Sequence, residues 1–158
     1  YGLKFFNVYG PQETHKGAQA SVALKAFHQI RETGRLKLFK SYNPDYKDGE
    51  QMRDFIYVKD VCLWMAELMQ KKPASDIYNM GTGQAKTWMD LAKAVFAALD
   101  KPVQIDFIEM PNELKNQYQY FTEARMDKWS AQGLTKPKYD LNSGVKDYVQ
   151  NFLTKAST

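Results

Sequence analysis

Phe6-Asn7-Val8-Tyr9-Gly10-Pro11, followed by Glu13, His15-Lys16-Gly17 and Ala20-Ser21, is the stretch on which the fold of this 158-residue chain turns. An apolar run closed by Gly-Pro, then a charged loop opening a helix-periodic segment, reads as a strand feeding a helix. That arrangement sets Asn7, Val8 and the loop at the carboxyl end of a strand. In open α/β sheets ligands sit at that edge.

Outward from this segment, strand and helix patterns alternate. Ala20, Ala23, Leu24, Phe27 and Ile30 recur at helical spacing, and Gly34 suits the cap that ends the helix. Residues 36–42 read as a short strand before the polar loop of Asn43-Pro44-Asp45 and Asp48-Gly49. Residues 53–58 read as another. Asp60 is expected to N-cap a helix over residues 61–69, apolar enough to be largely buried.

Residues 77–80 form a strand stopped by Gly81-Thr82-Gly83. Thr87 with Asp90 spells a capping box for a helix whose face is Leu91, Ala92, Val95, Phe96 and Leu99. Residues 103–108 read as a strand. Thr122 is expected to cap a short helix through Trp129, closed by Gly133. The last helix carries Val145, Tyr148, Val149, Phe152 and Leu153 on one face. Strands separated by helices of about 10–15 residues argue an α/β fold with parallel strands, one unit over residues 1–158.

A hydrophobic content of 44% is ample for a core, and no apolar run approaches the roughly 20 residues that span a bilayer. The net charge of +4 raises nucleic acid as a partner. The lysines are scattered among acids, with only Lys71-Lys72 adjacent, which reads as a solvated surface with a tilt toward an anionic ligand. The single cysteine, Cys62, excludes a disulfide framework and a multi-cysteine metal site; it reads as a small buried hydrophobe in a reduced, cytoplasmic protein. The chain opens on Tyr1-Gly2-Leu3-Lys4, already close to strand, so a fragment without a secretory signal is expected.

Two absences bound the chemistry. The only G-x-G is Gly81-Thr82-Gly83, and Lys86 stands where a dinucleotide fingerprint needs its third glycine. No Tyr is followed four residues later by a Lys, the one-turn spacing at which an ammonium lowers a phenol's pKa. The chain is expected to contribute to a site without completing one.

Phe6-Asn7-Val8-Tyr9-Gly10-Pro11, Arg53-Asp54-Phe55-Ile56-Tyr57-Val58-Lys59-Asp60-Val61 and Tyr78-Asn79-Met80-Gly81-Thr82-Gly83, in that order, resemble the extended short-chain dehydrogenase/reductase superfamily of nucleotide-sugar epimerases and dehydratases. His15-Lys16-Gly17 with Ala20-Ser21, and Pro111, Leu114-Lys115, Tyr118-Gln119 and Phe121-Thr122 further on, resemble its branch of NADP-dependent 6-epimerases acting on ADP-linked heptoses of lipopolysaccharide precursor synthesis. The likeness covers roughly the carboxyl-terminal half of such enzymes. It implies a Rossmann-type fold whose substrate-binding portion is present and whose dinucleotide-binding amino-terminal part is absent. It implies an isomerase using NADP, or NAD, as a homo-oligomer without nucleic acid or membrane; the fragment alone is expected to be inactive.

The same resemblance implies roles for single residues. Lys16 would be the second proton-handling group, its partner being the missing Tyr, and would also border the cofactor. An ammonium beside a developing alkoxide stabilises it and can donate a proton. Val8 would lie against the nicotinamide and Asn7 would hydrogen-bond the substrate, while His15 positions its neighbour. Arg53 would hold phosphate, because its guanidinium fork matches phosphate oxygens; the plainer alternative is an ion pair with Asp54 or Glu50. Phe39 would contact the adenosine diphosphate, and Tyr118 would offer the substrate a hydroxyl. Ala18, Lys25 and Ser41-Tyr42 depart from the branch's pattern of Ser, His and Gly-Ser. Another epimerase or 4,6-dehydratase of the superfamily, or a non-catalytic sugar-nucleotide-binding module, are the competing readings.

Overall fold

The computed structural model describes residues 1–155. Eight short strands and six α-helices follow one another in the mixed order that the alternating patterns predict. Three strand pairs are parallel: β1 (Gly2–Phe5) with β6 (Ile77–Met80), β2 (Asn7–Tyr9) with β5 (Phe55–Tyr57), and β3 (Leu36–Phe39) with β8 (Ile105–Ile108). The fourth pair, β4 (Met52–Arg53) with β7 (Lys86–Thr87), is antiparallel.

The opening run is one extended path that changes partner. Phe6 N donates to Met80 O at 3.1 Å, and the next amide, Asn7 N, donates to Asp54 O at 3.0 Å. Phe6 is therefore the hinge between a strand lying on β6 and a strand lying on β5.

Strand β5 is buried on both faces. Phe55 and Tyr57, with Tyr9, join a core formed by α1 (Val22–Thr33), α3 (Trp88–Ala98) and α6 (Leu141–Tyr148). Ile56, pointing the other way as the period-2 pleat demands, joins Trp64, Leu68, Tyr78 and Trp129 in a second core under α2 (Val58–Lys71). Trp64 and Trp129 pack with ring centroids 4.7 Å apart, and truncating so buried an indole costs about 3–5 kcal/mol.

The helix ends follow their local chemistry. Ser21 accepts from Leu24 N to cap α1, and Gly34, in the left-handed conformation, closes it. The Thr87–Asp90 capping box forms in both directions, at 2.9 and 3.0 Å. Asp140 caps α6, which runs on into a wide turn over Val149–Leu153.

Four expectations fail. Asp60 caps nothing: α2 begins earlier, at Val58, and the buried Asp60 carboxylate accepts from Lys138 N and Tyr139 N, at 2.9 and 3.0 Å. The acid thus serves a distant loop, 78 and 79 residues along the chain. Thr122 caps no helix either; it pairs with Met52, and the helix α5 (Asp127–Ala131) starts after Met126. α2 is not largely buried, since Leu63, Met65 and Met69 are exposed on its outer face while Val61, Trp64 and Leu68 fill the inner one. Cys62 shares that outer face and is exposed, not a buried hydrophobe.

Candidate active site

Strands β2 and β3 border two adjoining cavities. The smaller, about 270 Å³, is lined by Asn7, Val8 and Tyr9 of β2, by Gln19 to Ala23, and by Phe55 and Trp88. The larger, about 460 Å³, is lined by Lys25 and Gln29 of α1, by Leu36 to Phe39 of β3, and by Ile108, Trp88 and Tyr118. Val22 and Trp88 border both, so the two cavities share a wall and together make up the candidate groove. Asn7 and Val8 line the smaller cavity, and Phe39 and Tyr118 line the larger.

Backbone pairing explains the middle of the groove. Arg53 is in register with Lys86 in the antiparallel β4–β7 pair, and Trp88 N donates to Gln51 O at 3.1 Å. The first residue of α3 is thereby brought over Arg53. The guanidinium carbon lies 5.7 Å from the Trp88 ring centroid and 5.3 Å from that of Tyr118. Trp88 Nε1 donates to Tyr118 Oη at 2.8 Å, locking the two rings together. Burial lowers the Arg53 pKa from its ordinary value. Burial likewise pushes the Tyr118 hydroxyl up, against the Trp88 hydrogen bond and the Arg53 charge. Arg53 pairs with neither Asp54 nor Glu50 among the described residues; its Nη1 donates to Met52 O at 2.8 Å. A guanidinium stacked between aromatic rings, with donors to spare, is a ready ligand for phosphate.

Lys16 stands apart from this wall. It is exposed on a 3-10 turn, Thr14–Gln19, that buries none of its own side chains. Neither cavity is lined by it, though Gln19 to Ser21, at the end of the same loop, line the smaller one. Gly17 makes the turn possible: φ 53° with ψ −120° is a conformation that side chains on Cβ oppose. His15 is exposed beside it. The two departures in this region meet, since Lys25 Nζ donates to Ala18 O at 2.6 Å. At Ser41 the hydroxyl donates to Asn43 O at 3.1 Å, and the Tyr42 hydroxyl pairs with Glu109.

The Gly81-Thr82-Gly83 turn is committed elsewhere. Asp54, wholly buried, accepts from Thr82 N at 2.7 Å, Thr82 Oγ1 at 2.6 Å, Gly83 N at 2.9 Å and Ala124 N at 3.0 Å. A Cβ on Gly81 would stand 2.4 Å from that of Ala124 and 2.8 Å from Asp54 Oδ2. These glycines let a carboxylate approach the backbone. The amides that would cradle a phosphate are already taken.

Trp88 is the cavity-lining residue that sequence reasoning misses. It looks like the first residue of an amphipathic helix, and only the β4–β7 pairing makes it the shared wall of both cavities.

Comparison with known proteins places this geometry. The chain is 52% identical to an ADP-L-glycero-D-manno-heptose-6-epimerase of Fusobacterium nucleatum, over 98% of the chain and 48% of that protein. It is 50% identical to one of Nitratidesulfovibrio vulgaris, with the same coverage. The chain thus spans about half the length of the curated relatives it matches. Among solved structures, the Helicobacter pylori ADP-L-glycero-D-manno-heptose-6-epimerase aligns with a TM-score of 0.78 at 31% identity, over 95% of the chain and 43% of that structure. The Thermus thermophilus UDP-glucose 4-epimerase in complex with NAD aligns at 0.76 and 25% identity, over 96% and 45%. These neighbours share the Rossmann-type α/β fold, and residues 1–81 match the NAD dependent epimerase/dehydratase family. The chain belongs to the NAD dependent epimerase/dehydratase family.

Proposed function

We propose that this chain is the substrate-binding portion of an NADP-dependent epimerase that inverts C6 of an ADP-linked heptose. The observation that carries the reading is the pair of adjoining cavities, one with a polar amide and an apolar strand residue in its lining, the other lined by Phe39, Trp88 and Tyr118 and flanked by Arg53. A sugar and a nucleoside diphosphate differ in the same way along their length. The naming of relatives at about half identity as ADP-heptose 6-epimerases supports the choice of sugar nucleotide.

Phe39 and Tyr118 hold the adenosine end, and Arg53 meets the diphosphate from its aromatic stack. Asn7 orients the sugar at the strand end. Val8, half-buried beside it, offers the flat apolar contact a nicotinamide needs, so the residues present fit that end of the cofactor. A bound nicotinamide supplies the hydride acceptor and donor. Lys16 carries a proton to or from the C6 oxygen in one of the two orientations of the sugar; the other orientation belongs to a Tyr outside this chain. The 158 residues are one unit of a cytoplasmic homo-oligomer and are inactive alone.

The test is product analysis of the full-length protein with ADP-D-glycero-D-manno-heptose. Accumulation of the L-glycero epimer is expected. Elimination of water to a deoxy-keto sugar, or no turnover, contradicts the reading.

A further inference from the structure

Glu13 is a carboxylate that the groove does not use. It is only 4% exposed, and no cation pairs with it among the described residues. Burying a lone charge is costly unless hydrogen bonds compensate it, and here they are numerous. Oε1 accepts from Gly10 N at 3.2 Å and from Ser21 Oγ at 2.8 Å, while Oε2 accepts from Ser21 N at 2.6 Å. Gly10 follows the end of β2 and Ser21 is the cap of α1. One side chain therefore ties the two ends of the loop that carries Lys16.

The main chain of Glu13 starts the turn as well. Its carbonyl accepts from Lys16 N at 3.0 Å, and Gly17 O accepts from Ala20 N at 3.1 Å to close it. With no buried side chain of its own, the turn has no apolar anchor. Its placement depends on hydrogen bonds, of which the Glu13 carboxylate supplies three. Burial first, and then the Glu13 carboxylate, push the pKa of the Tyr148 hydroxyl of α6 up, so this ring also faces the clamp.

We propose that Glu13 is a positioning residue, whose buried carboxylate fixes the Thr14–Gln19 turn so that Lys16 is held at one place beside the groove. This rests on the assignment of Lys16 as the proton-handling group. A long, exposed ammonium on an unanchored turn would sample many positions, and a misplacement of about 1 Å at a reacting centre can cost on the order of a hundredfold in rate.

The experiment compares Glu13→Gln, Lys16→Ala and the double variant in the full-length protein. Glu13→Gln keeps the side-chain shape but presents an amide to donors, breaking at least one bond of the clamp. The expected result is a kcat lowered by about tenfold or more, with KM for the nucleotide sugar within about twofold. The double variant is expected to be no slower than Lys16→Ala, because Glu13 acts through Lys16. Hydrogen exchange of residues 14–19 is expected to rise by about tenfold in Glu13→Gln.

An unchanged kcat for Glu13→Gln beside a slowed Lys16→Ala overturns this inference alone, as does full additivity in the double variant or unchanged exchange in the turn. A Lys16→Ala rate equal to the parent's overturns the Lys16 assignment first and this inference with it. Should Glu13→Gln fail to fold, Ser21→Ala, which removes one bond of the clamp together with the α1 cap, is read by the same kcat and exchange criteria, with exchange of residues 22–25 reporting the loss of the cap separately.

Discussion

The indole of Trp88 donates its Nε1 hydrogen to the hydroxyl of Tyr118 at 2.8 Å, and the Arg53 guanidinium rests against both rings. A cation held between aromatic faces keeps its donors aimed and loses little conformational freedom on meeting an anion. Arg53→Lys replaces the planar fork with a point charge that neither stacks nor binds bidentately. We predict that it raises the Kd for an ADP-sugar by about tenfold, measured by titration calorimetry on the full-length protein. An unchanged Kd would mean that Arg53 does not meet the diphosphate.

Asp54 answers for the Gly81-Thr82-Gly83 turn. Asp54→Ala leaves the amides of Thr82, Gly83 and Ala124 without the buried acceptor they share. At about 1–3 kcal/mol for each unsatisfied group, the loss of stability in urea unfolding should reach at least about 3 kcal/mol. A loss under about 1 kcal/mol would show that water reaches the turn.

Asp147 links α6 to the end of β5 and the start of α2. It accepts from Tyr57 Oη at 2.7 Å, Lys59 Nζ at 2.5 Å and Asn151 Nδ2 at 2.8 Å. Burial pushes its carboxyl up, but these bonds more than offset that and hold it below the usual value. A depressed folded pKa gives stability that is present above the unfolded carboxylate pKa and lost as pH falls through the folded one. Asp147→Asn should therefore be less stable than the parent at pH 7, with the gap closing as melting is followed down through the carboxylate range. A gap that persists unchanged to the acid end would contradict the charge-based origin.

Gly17→Ala tests the turn without a steric clash, because a Cβ there meets nothing within 4 Å. Only its backbone conformation opposes the change, at a cost of about 1–3 kcal/mol. The turn is expected to relax and carry Lys16 with it, lowering kcat by about tenfold while the melting temperature falls by about 2–10 °C. Equal turnover would show that Lys16 does not depend on this backbone geometry.

Much of the fold was legible because its signals are local. The Ser21 and Thr87 caps, the Gly34 stop and the strand over Ile77–Met80 each rest on residues within a few positions of one another. What escaped is non-local. Asp60 and Thr122 have the chemistry of caps, yet Asp60 is claimed by the amides of Lys138 and Tyr139, and Thr122 by pairing with Met52. The run through Phe6 looks continuous, and nothing in it announces a change of partner from β6 to β5. Apolar content in α2 signals that a face should be covered, not whether the residues at hand cover it.

In the site, Asn7 and Val8 line the smaller cavity, Phe39 and Tyr118 the larger, and Arg53 lies over the rings of Trp88 and Tyr118. Lys16, the sharpest expectation, is exposed and lines neither cavity, on a turn whose anchor is a buried acid with no signature of its own.

The central claim is that Lys16 moves a proton in the epimerisation. It is tested most directly by the turnover of Lys16→Ala in the full-length protein on the ADP-heptose, with binding of substrate followed in parallel. The account predicts a rate lower by about a hundredfold or more with binding nearly intact, the range that a positioned acid–base group supplies. A rate within about twofold of the parent would contradict it.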